Sequence, residues 1–445
     1  MVSIPQSELH NRRTALIDSI PEYGIIILFG NEDVTRNADT EFKFRQYSDF
    51  WYFTGINEAN ACYVVKKTPE GVFERLYVLP RNPEMEIWTG YRLGIEGARE
   101  VSGIQEVYEN IQLVEDEQWF LSQVKYVYLD VYEKSQRAHR MRLSQAYLDT
   151  ERRGLNEHVQ GIYKTQLLTQ ALRLKKSQWE IEMMQKSVDI CIEAHIQMAQ
   201  QASARVKKGE VLTESQMMAD FLHHGYTHGA DWSYMPIMAG GENACILHYV
   251  DNDKTVKSGD LVLVDAGVEY GYYASDITRT YPISGTFRPA QKAIYELVLK
   301  ANVACIELAG QDSVTTGDIH QKAIAILTQG LIDLGIIQMS FAEAIETKAY
   351  FQYYPHGTGH YIGLDVHDVG PYRTMEGERV AGPWEEGMAI TIEPGLYFGK
   401  FTEAPDEFRG IGVRIEDNIV KTSDGVINLT QAMPKRVPEI EELMK

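Results

Sequence analysis

The chain has 445 residues, too many for one ordinary hydrophobic core, so two or three domains are expected. Its apolar content of 44% and charged content of 24% are typical of a soluble globular protein. The 63 acidic residues outnumber the 43 basic ones, and the formal net charge of -20 argues against nucleic acid or an anionic membrane surface as the main partner.

Cysteine usage and the first residues both predict a cytoplasmic protein. The four cysteines are far apart and form no CxxC pair, so we expect neither a disulfide framework nor a thiolate zinc site. The opening MVSIPQSELHNRRTALIDS carries charges where a signal peptide needs an apolar run. No stretch approaches the roughly 20 apolar residues of a membrane span, so no membrane partner is expected.

Residues 1–171 are predicted to form an α/β domain, because short β-rich runs alternate with helical ones. The predicted strands are Tyr23–Gly30, Ala61–Lys67, Phe73–Pro80 and Tyr126–Tyr132. The predicted helices are Ile95–Val101 and Glu117–Val124. This part of the chain has no glycine-rich phosphate loop, so nothing in it indicates nucleotide binding.

Residues 172–445 are predicted to form a second, α+β domain. It opens with a long amphipathic helix that Ser177 and Glu180 cap, and His195 lies on the apolar stripe of this helix as an expected core histidine. The remaining predicted elements are helices over Thr213–His224, Pro289–Leu308 and Asp318–Leu334, and antiparallel strands over Met388–Phe398 and Gly412–Val420.

The segment LVLVDAGVEYGYYASDITRTY is predicted to be a β-hairpin. If Tyr270 and Gly271 form a two-residue turn, Asp265 lies directly opposite Asp276 with Cβ atoms about 5 Å apart. Two carboxylates at that separation repel each other unless a cation lies between them, and a divalent ion is the simplest choice. The alternative is a longer turn, which slips the register by one and leaves two solvated loop carboxylates.

Three later segments also place polar residues in or beside apolar strands. They are HGTGHYIGLDVHD with His356, His360 and His367, AITIEPGLY with Glu393, and GVRIEDN with Glu416. An unpaired charge in such surroundings is costly, which points to metal binding. The five candidate ligands are Asp265, Asp276, His360, Glu393 and Glu416.

Four carboxylates and one imidazole form an oxygen-rich ligand set. Eight carboxylate oxygens are more than one ion needs, so two ions that share bridging carboxylates are the natural arrangement. Such ligands favour manganese over copper, although cobalt or zinc can occupy similar sites. Two divalent ions about 3.5 Å apart activate a water and polarise a carbonyl, which is hydrolytic chemistry. The sequence has no HExxH or GxSxG motif that would indicate a competing hydrolase class.

The order Asp, Asp, His, Glu, Glu in these contexts resembles the pita-bread metallopeptidases, and among them the Xaa-Pro aminopeptidases (aminopeptidase P). The segments FRQYSDFWYFTGINEANA and EIWTGYR resemble the N-terminal domain of that family, and GGENACILHYVDND resembles its substrate-side loop. The resemblance implies an α/β N-terminal domain for substrate access and oligomerisation, followed by an α+β pita-bread catalytic domain. It also implies two divalent metal ions per chain, Mn²⁺ first among them, and a homo-oligomer that is a dimer or a tetramer.

The resemblance further implies a role for each ligand. Asp276 and Glu416 would bridge the two ions, and Asp265 would complete the shell of one ion. His360 and Glu393 would complete the shell of the other. Glu393 would also take or relay the proton of a metal-bridging hydroxide that attacks the carbonyl before proline.

Other positions match family residues around the substrate. His248 and His367 correspond to histidines that contact the scissile peptide and stabilise the oxyanion, and His356 matches a further active-site histidine. Tyr397 and Arg414 match the hydrogen-bonding pair that orients the first aspartate.

Proline selectivity is expected to come from an apolar wall. Tyr234, Leu247 and Val366 are the candidates for it on the strength of the resemblance. Trp88 lies in a segment that, in oligomeric members of the family, reaches the site of a neighbouring subunit. The alternative for Trp88 is a buried core tryptophan.

The predicted function is a metal-dependent exopeptidase that releases the N-terminal residue from peptides with proline at the second position. An Xaa-Pro dipeptidase (prolidase) shares every metal ligand and is the closest alternative. A catalytically silent pita-bread protein that acts as a binding module is a third possibility, and such proteins typically lose ligands.

Overall fold

The computed structural model describes residues 2–149, 159–372 and 382–445. The chain divides into two compact units, Met1–Arg173 and Leu174–Lys445. Among the described residues, no helix has the length and apolar character that crossing a membrane requires.

The N-terminal unit is built around one mixed sheet. The strands of this unit are β1 (Gly24–Phe29), β2 (Thr35–Asn37), β3 (Thr40–Glu41), β4 (Cys62–Thr68), β5 (Gly71–Val78), β6 (Glu106–Glu109), β7 (Tyr126–Tyr128) and β8 (Gly161–Tyr163). Its helices are α1 (Gln6–Ser19), α2 (Ser48–Thr54), α3 (Pro83–Thr89), α4 (Gly94–Ser102), α5 (Gln112–Glu115), α6 (Glu117–Leu121), α7 (Arg137–Asp149) and α8 (Gln166–Leu174), the last ending at the unit boundary.

Six of these strands form the sheet in the order β6-β5-β4-β1-β7-β8. The central pairs β5–β4 and β4–β1 are antiparallel, and the outer pairs are parallel. Ile25, Ile27 and Phe29 of β1 pack in the core with Val64 and Tyr77, because alternate residues of a strand share one face. The predicted α/β domain is therefore confirmed.

The C-terminal unit combines small antiparallel sheets with long helices. Its helices are α9 (Gln178–Lys207), α10 (Glu214–Thr227), α11 (Pro289–Ala309), α12 (Thr316–Asp333), α13 (Phe341–Glu346) and α14 (Val437–Leu443). Its strands are β9 (Leu212–Thr213), β10 (Asp231–Trp232), β11 (Ile237–Gly240), β12 (Thr255–Val256), β13 (Leu261–Ala266), β14 (Val268–Tyr270), β15 (Tyr273–Ala274), β16 (Ile277–Pro282), β17 (Ala389–Ile392), β18 (Gly395–Tyr397), β19 (Gly412–Arg414), β20 (Asp417–Thr422) and β21 (Gly425–Asn428).

The strands of this unit pair in short groups, and two of these groups hold the four candidate carboxylates within or directly beside their strands. One is β11-β13-β16, and the other comprises β17-β20-β21 with β18-β19 beside it. Capping boxes start α9 at Ser177 and α10 at Thr213, as predicted, because each side chain accepts the N–H of the third helical residue. The α+β prediction for this unit is confirmed.

The predicted hairpin forms, but its predicted register was wrong. The turn residues are Gly271 and Tyr272, whose φ values of 56° and 71° are those of a type I′ turn. Asp265 therefore pairs with Thr278 and not with Asp276. The prediction placed the turn at Tyr270 and Gly271, whereas the observed turn lies one residue later and gives Tyr272 a positive φ that a tyrosine rarely adopts. The strand partner of Asp265 thus lies two residues further along the chain than predicted. Because side chains of a strand alternate between its two faces, a shift by an even number leaves both aspartates on the predicted face.

His195 is a core histidine, as predicted. Its side chain is fully buried on α9, with Nε2 3.1 Å from the carbonyl oxygen of Ala266 and Nδ1 3.3 Å from the hydroxyl of Tyr281. The ring also packs edge to face against Phe221 of α10. This histidine therefore supports the end of β13, next to Asp265, without contacting the candidate site.

Burial lowers the pKa of His195 to about 4, so acid should destabilise the fold through this residue. In the unfolded chain its pKa is about 6.5, so its contribution is complete above that pH and is lost as the pH falls towards 4. Between pH 7.5 and pH 5.0 the wild type should lose about 2 kcal/mol more unfolding free energy than His195→Gln. Urea unfolding at both pH values measures this, and equal losses in the two proteins would contradict the assignment.

Candidate metal centre

The two candidate glutamates face each other at a break in one β-ladder. The pairs β17–β20 and β18–β19 share a single antiparallel register on either side of the break. Continuing that register across Pro394, which has no N–H to donate, places Glu393 opposite Glu416. Directly opposed side chains point to the same face of a sheet. Like two opposed aspartates, Glu393 and Glu416 repel each other unless a cation lies between them.

The two aspartates meet at the hydroxyl of Tyr234. This hydroxyl lies 2.5 Å from Oδ1 of Asp265 and 2.5 Å from Oδ1 of Asp276. Asp276 lies between β15 and β16, where the ladder of the hairpin is interrupted, and Asn418 takes the place of the missing strand partner. The amide of Asn418 accepts the N–H of Asp276 at 3.0 Å and donates to its carbonyl oxygen. The asparagine thereby fixes the backbone from which the Asp276 carboxylate projects.

His360 points a free nitrogen at this group of carboxylates. Its Nδ1 lies 3.0 Å from the carbonyl oxygen of Tyr361, so Nδ1 carries the proton and the lone pair is on Nε2. Nε2 is 3.3 Å from Oδ2 of Asp276 and 3.9 Å from Oε1 of Glu393. Ligand atoms of Asp276, His360 and Glu416 all lie within 4.8 Å of one another. The histidine is therefore presented as metal ligands commonly are, with its second nitrogen bonded to a carbonyl.

The carboxylates are buried together and perturb one another. Burial raises the pKa of Glu393 to about 8, and the charge of Glu416 adds to the rise. Burial and the nearby Asp265 charge raise the pKa of Asp276 well above its usual range, and burial with the Asp276 charge does the same for Glu416. Burial would also raise the pKa of Asp265, but the guanidinium of Arg414 holds it below its usual value.

A chain of hydrogen bonds, in which each donor and acceptor can be assigned, leads from Asp265 to His356. Arg414 donates to Oδ2 of Asp265 and, at 2.8 Å, to the hydroxyl of Tyr397. That hydroxyl lies 2.8 Å from Nε2 of His356, whose Nδ1 is 2.7 Å from the carbonyl oxygen of Gly357. Because the carbonyl can only accept, Nδ1 of His356 carries the proton and the Tyr397 hydroxyl donates to Nε2. Each group in the chain thus has a defined donor or acceptor role.

The residues present fit a divalent-metal centre. Arg414 pairs with one of the four carboxylates, and the other three raise one another's pKa, so their combined negative charge favours a dication. The donors are carboxylate oxygens and one imidazole nitrogen, which suit manganese, zinc or cobalt. Thr278 adds an outer contact, since its hydroxyl donates to Oε2 of Glu416 at 2.7 Å.

The histidines and apolar residues predicted to contact substrate lie at different depths. His367 lies beside His360, with ring centroids 4.1 Å apart, and both His367 and His248 are exposed. Leu247 and Val366 are half-buried. These positions are those of residues that can meet an incoming ligand.

Trp88 is not a core residue. It lies on α3 of the N-terminal unit with 84% of its surface exposed, so the alternative of a buried tryptophan is wrong. Its neighbours Ile87 and Tyr91 are also more than 80% exposed. A role for Trp88 at a neighbouring subunit stays a prediction.

Sequence reasoning missed three polar contacts of this centre. Asn418 and Thr278 were not considered, and Tyr234 was expected to act through its apolar ring and not through its hydroxyl. The available signal was the presence of asparagine and threonine at buried positions of apolar strands, where each must find a hydrogen-bond partner. Which partner each finds depends on strands far apart in sequence.

Each of the two units matches a known protein family. Residues 182–423 match the model of metallopeptidase family M24, and residues 9–128 match that of the aminopeptidase P N-terminal domain. An Xaa-Pro aminopeptidase of Haemophilus influenzae is 39% identical over 445 residues, with 100% of this chain and 98% of the relative covered. One from Escherichia coli is 35% identical over 453 residues, covering 100% and 99%.

A solved structure agrees with these sequence relatives. The structure of E. coli aminopeptidase P with the inhibitor Pro-Leu superposes with a TM-score of 0.91 at 34% identity. The superposition covers 100% of this chain and 99% of that one. The similarity therefore extends over both units and includes the whole candidate metal centre.

Proposed function

This chain belongs to metallopeptidase family M24 and has the pita-bread fold, and from this membership we propose that it is an Xaa-Pro aminopeptidase. It removes the N-terminal residue from peptides whose second residue is proline. The proposal rests on the convergence of Asp276, His360 and Glu416, with Asp265 and Glu393 beside them, in a chain that matches aminopeptidases P over its full length. The enzyme is thus a metal-dependent hydrolase and an exopeptidase.

The five residues would hold two divalent ions, of which Mn²⁺ is the proposed occupant. Asp276 and Glu416 would be shared between the ions, Asp265 would bind one ion, and His360 with Glu393 would bind the other. When bound, the ions supply the Lewis acidity that activates a water and polarises a carbonyl. The oxygen-rich donor set supports manganese, and four carboxylates offer more oxygens than one ion uses.

The protein side chains position the reacting groups. Glu393 accepts the proton of the attacking water and passes it to the leaving proline nitrogen. His367 and His248, at the exposed edge of the site, hydrogen-bond the scissile peptide and the developing oxyanion. Arg414 and Tyr397 hold Asp265 in place, and His356 anchors the far end of that chain of hydrogen bonds.

Proline is selected by an apolar wall in this proposal. Leu247 and Val366, both half-buried, supply apolar surface. Tyr234 contributes its ring, while its hydroxyl stays with the aspartates. Trp88, exposed on α3, is proposed to complete the site of a neighbouring subunit in a dimer or tetramer.

The N-terminal domain, residues 1–171, is proposed to control substrate access and assembly, and residues 172–445 to form the catalytic domain. The proposed location is the cytoplasm. All four cysteines are free thiols, and this usage suits a reducing compartment.

Substrate length decides between an aminopeptidase and an Xaa-Pro dipeptidase. Protein loaded with manganese should release the first residue from an Xaa-Pro-Pro tripeptide and should act far more slowly on the Xaa-Pro dipeptide. Release of the free amino acid, followed by chromatography, measures both rates. Turnover of the dipeptide alone would instead establish the dipeptidase, and inactivity on both with metal bound would favour a silent binding module.

A further inference from the structure

A second group of metal-ligating side chains lies on the outer helices of the catalytic unit. Glu193 of α9, His224 of α10 and His228, which caps the C-terminal end of α10, bring ligand atoms within 4.8 Å of one another. The two histidines are four residues apart, so they share one face of the helix. None of the three belongs to the dimetal centre, and the proposed reaction uses none of them.

Nε2 of His224, which faces Glu193, makes no well-aligned hydrogen bond within the described residues. The residue is only 3% exposed, and its Nε2 is buried without a hydrogen bond to any described residue. Its nearest carboxylate oxygen, Oε2 of Glu193, lies 3.4 Å away. A buried polar atom with no partner is rare in native proteins and requires a specific explanation.

A backbone hydrogen bond orients the ring of His228, the third member of the group. Its Nδ1 lies 2.9 Å from the carbonyl oxygen of His224, so Nδ1 carries the proton and Nε2 has the lone pair. A ring nitrogen bonded to a backbone carbonyl is the usual support for a metal-ligating histidine. The two rings are stacked with centroids 4.1 Å apart, which keeps them together on one side of the helix.

The separation between His224 and Glu193 fits two ligands of a first-row transition-metal ion. Zinc binds imidazole nitrogen and carboxylate oxygen at about 2.0–2.2 Å, and tetrahedral ligands at that distance lie about 3.4 Å apart. The separation between His224 Nε2 and Glu193 Oε2 equals this value. Burial lowers the pKa of His224, which favours the neutral imidazole that binds metal.

We propose that Glu193, His224 and His228 bind one Zn²⁺ or a similar transition-metal ion, separate from the dimetal centre. Two imidazoles and one carboxylate supply three ligands, and water completes the shell. Because α9 and α10 each contribute ligands, the ion fastens one helix to the other. The same two helices hold His195 and Phe221, which support the end of the strand that carries Asp265. The ion therefore stabilises the catalytic unit from outside.

The test uses the full-length protein, with the dimetal centre first filled with Mn²⁺. Zinc is then titrated in competition with a chromophoric chelator into wild type, His228→Gln and the control His223→Gln. His223 is the adjacent exposed histidine on the same helix and is not part of the ligand group. Exchange of zinc into the dimetal centre is common to all three proteins, so their difference isolates the outer site.

Wild type and His223→Gln should bind one more equivalent of zinc than His228→Gln, or bind it at least about tenfold more tightly. Zinc should also raise the Tm of wild type and of His223→Gln, and it should raise the Tm of His228→Gln less. Glu193→Gln, a change at an exposed side chain, should weaken the same equivalent to a similar degree. Equal stoichiometry and affinity in all four proteins would overturn the proposal, whether or not the enzyme cleaves Xaa-Pro peptides.

Discussion

Replacing Asp276 with alanine should lower kcat/KM at least about a thousandfold, or about 4 kcal/mol of transition-state stabilisation, and should release bound metal. Both effects follow from the position of the Asp276 carboxylate. The Asp276 carboxylate lies between Asp265, which shares the Tyr234 hydroxyl with it, and His360, whose Nε2 is 3.3 Å away. The substitution removes one of the two carboxylates, Asp276 and Glu416, that the two ions are proposed to share. Metal content per chain and tripeptide turnover measure the two effects.

The control for this experiment is Asp424→Ala, at an exposed aspartate outside the site. It should keep both metal and activity. Circular dichroism on both variants checks that the fold is intact. An Asp276→Ala protein that retained two ions per chain and turned over normally would show that this residue is not a bridge.

Glu393→Gln should lower kcat by about 10² to 10⁴-fold, with a much smaller change in KM. Glutamine keeps one oxygen that can bind metal but cannot accept a proton. Burial and the Glu416 charge raise the pKa of Glu393 to about 8 in the group of carboxylates itself. Steady-state kinetics on the tripeptide, with metal content determined on the same sample, separates proton transfer from metal loss.

Glu386→Gln is the matched control, because it makes the same charge change at an exposed residue a few positions earlier in the chain. It should behave as wild type. A Glu393→Gln enzyme with normal kcat would assign the proton transfer to another group. One that loses its metal entirely would show that ligation is the main role of Glu393.

Local sequence signals were enough for the four long helices of the C-terminal unit and for the main strands of both units, whereas most helices of the N-terminal unit were not predicted. Ser177 with Glu180 and Thr213 with Gln216 start their helices as predicted, because a capping box is completed within four residues. His195 was correctly assigned to the core from its place on the apolar stripe. The hairpin was also found, but its turn was misplaced by one residue, since Tyr272 adopts a positive φ that its residue type disfavours.

The contacts that build the site join residues far apart in sequence. Asn418 holds the backbone of Asp276 from 142 residues away, and Arg414 reaches Asp265 from 149 residues away. The candidate zinc ligands Glu193 and His228 likewise come from different helices. No local pattern specifies such pairs, because they depend on how strands and helices pack against one another.

The sequence by itself predicted the fold class and the identity and order of the five candidate ligands, because ligand chemistry and strand periodicity are properties of single residues and short runs. The family was predicted from the resemblance of the segments around those ligands. The tertiary structure decided which carboxylates oppose each other. Glu393 faces Glu416 across a broken ladder, whereas the two aspartates meet through Tyr234. Register across a long connection depends on the packing of the whole unit, so it is settled only when the chain folds.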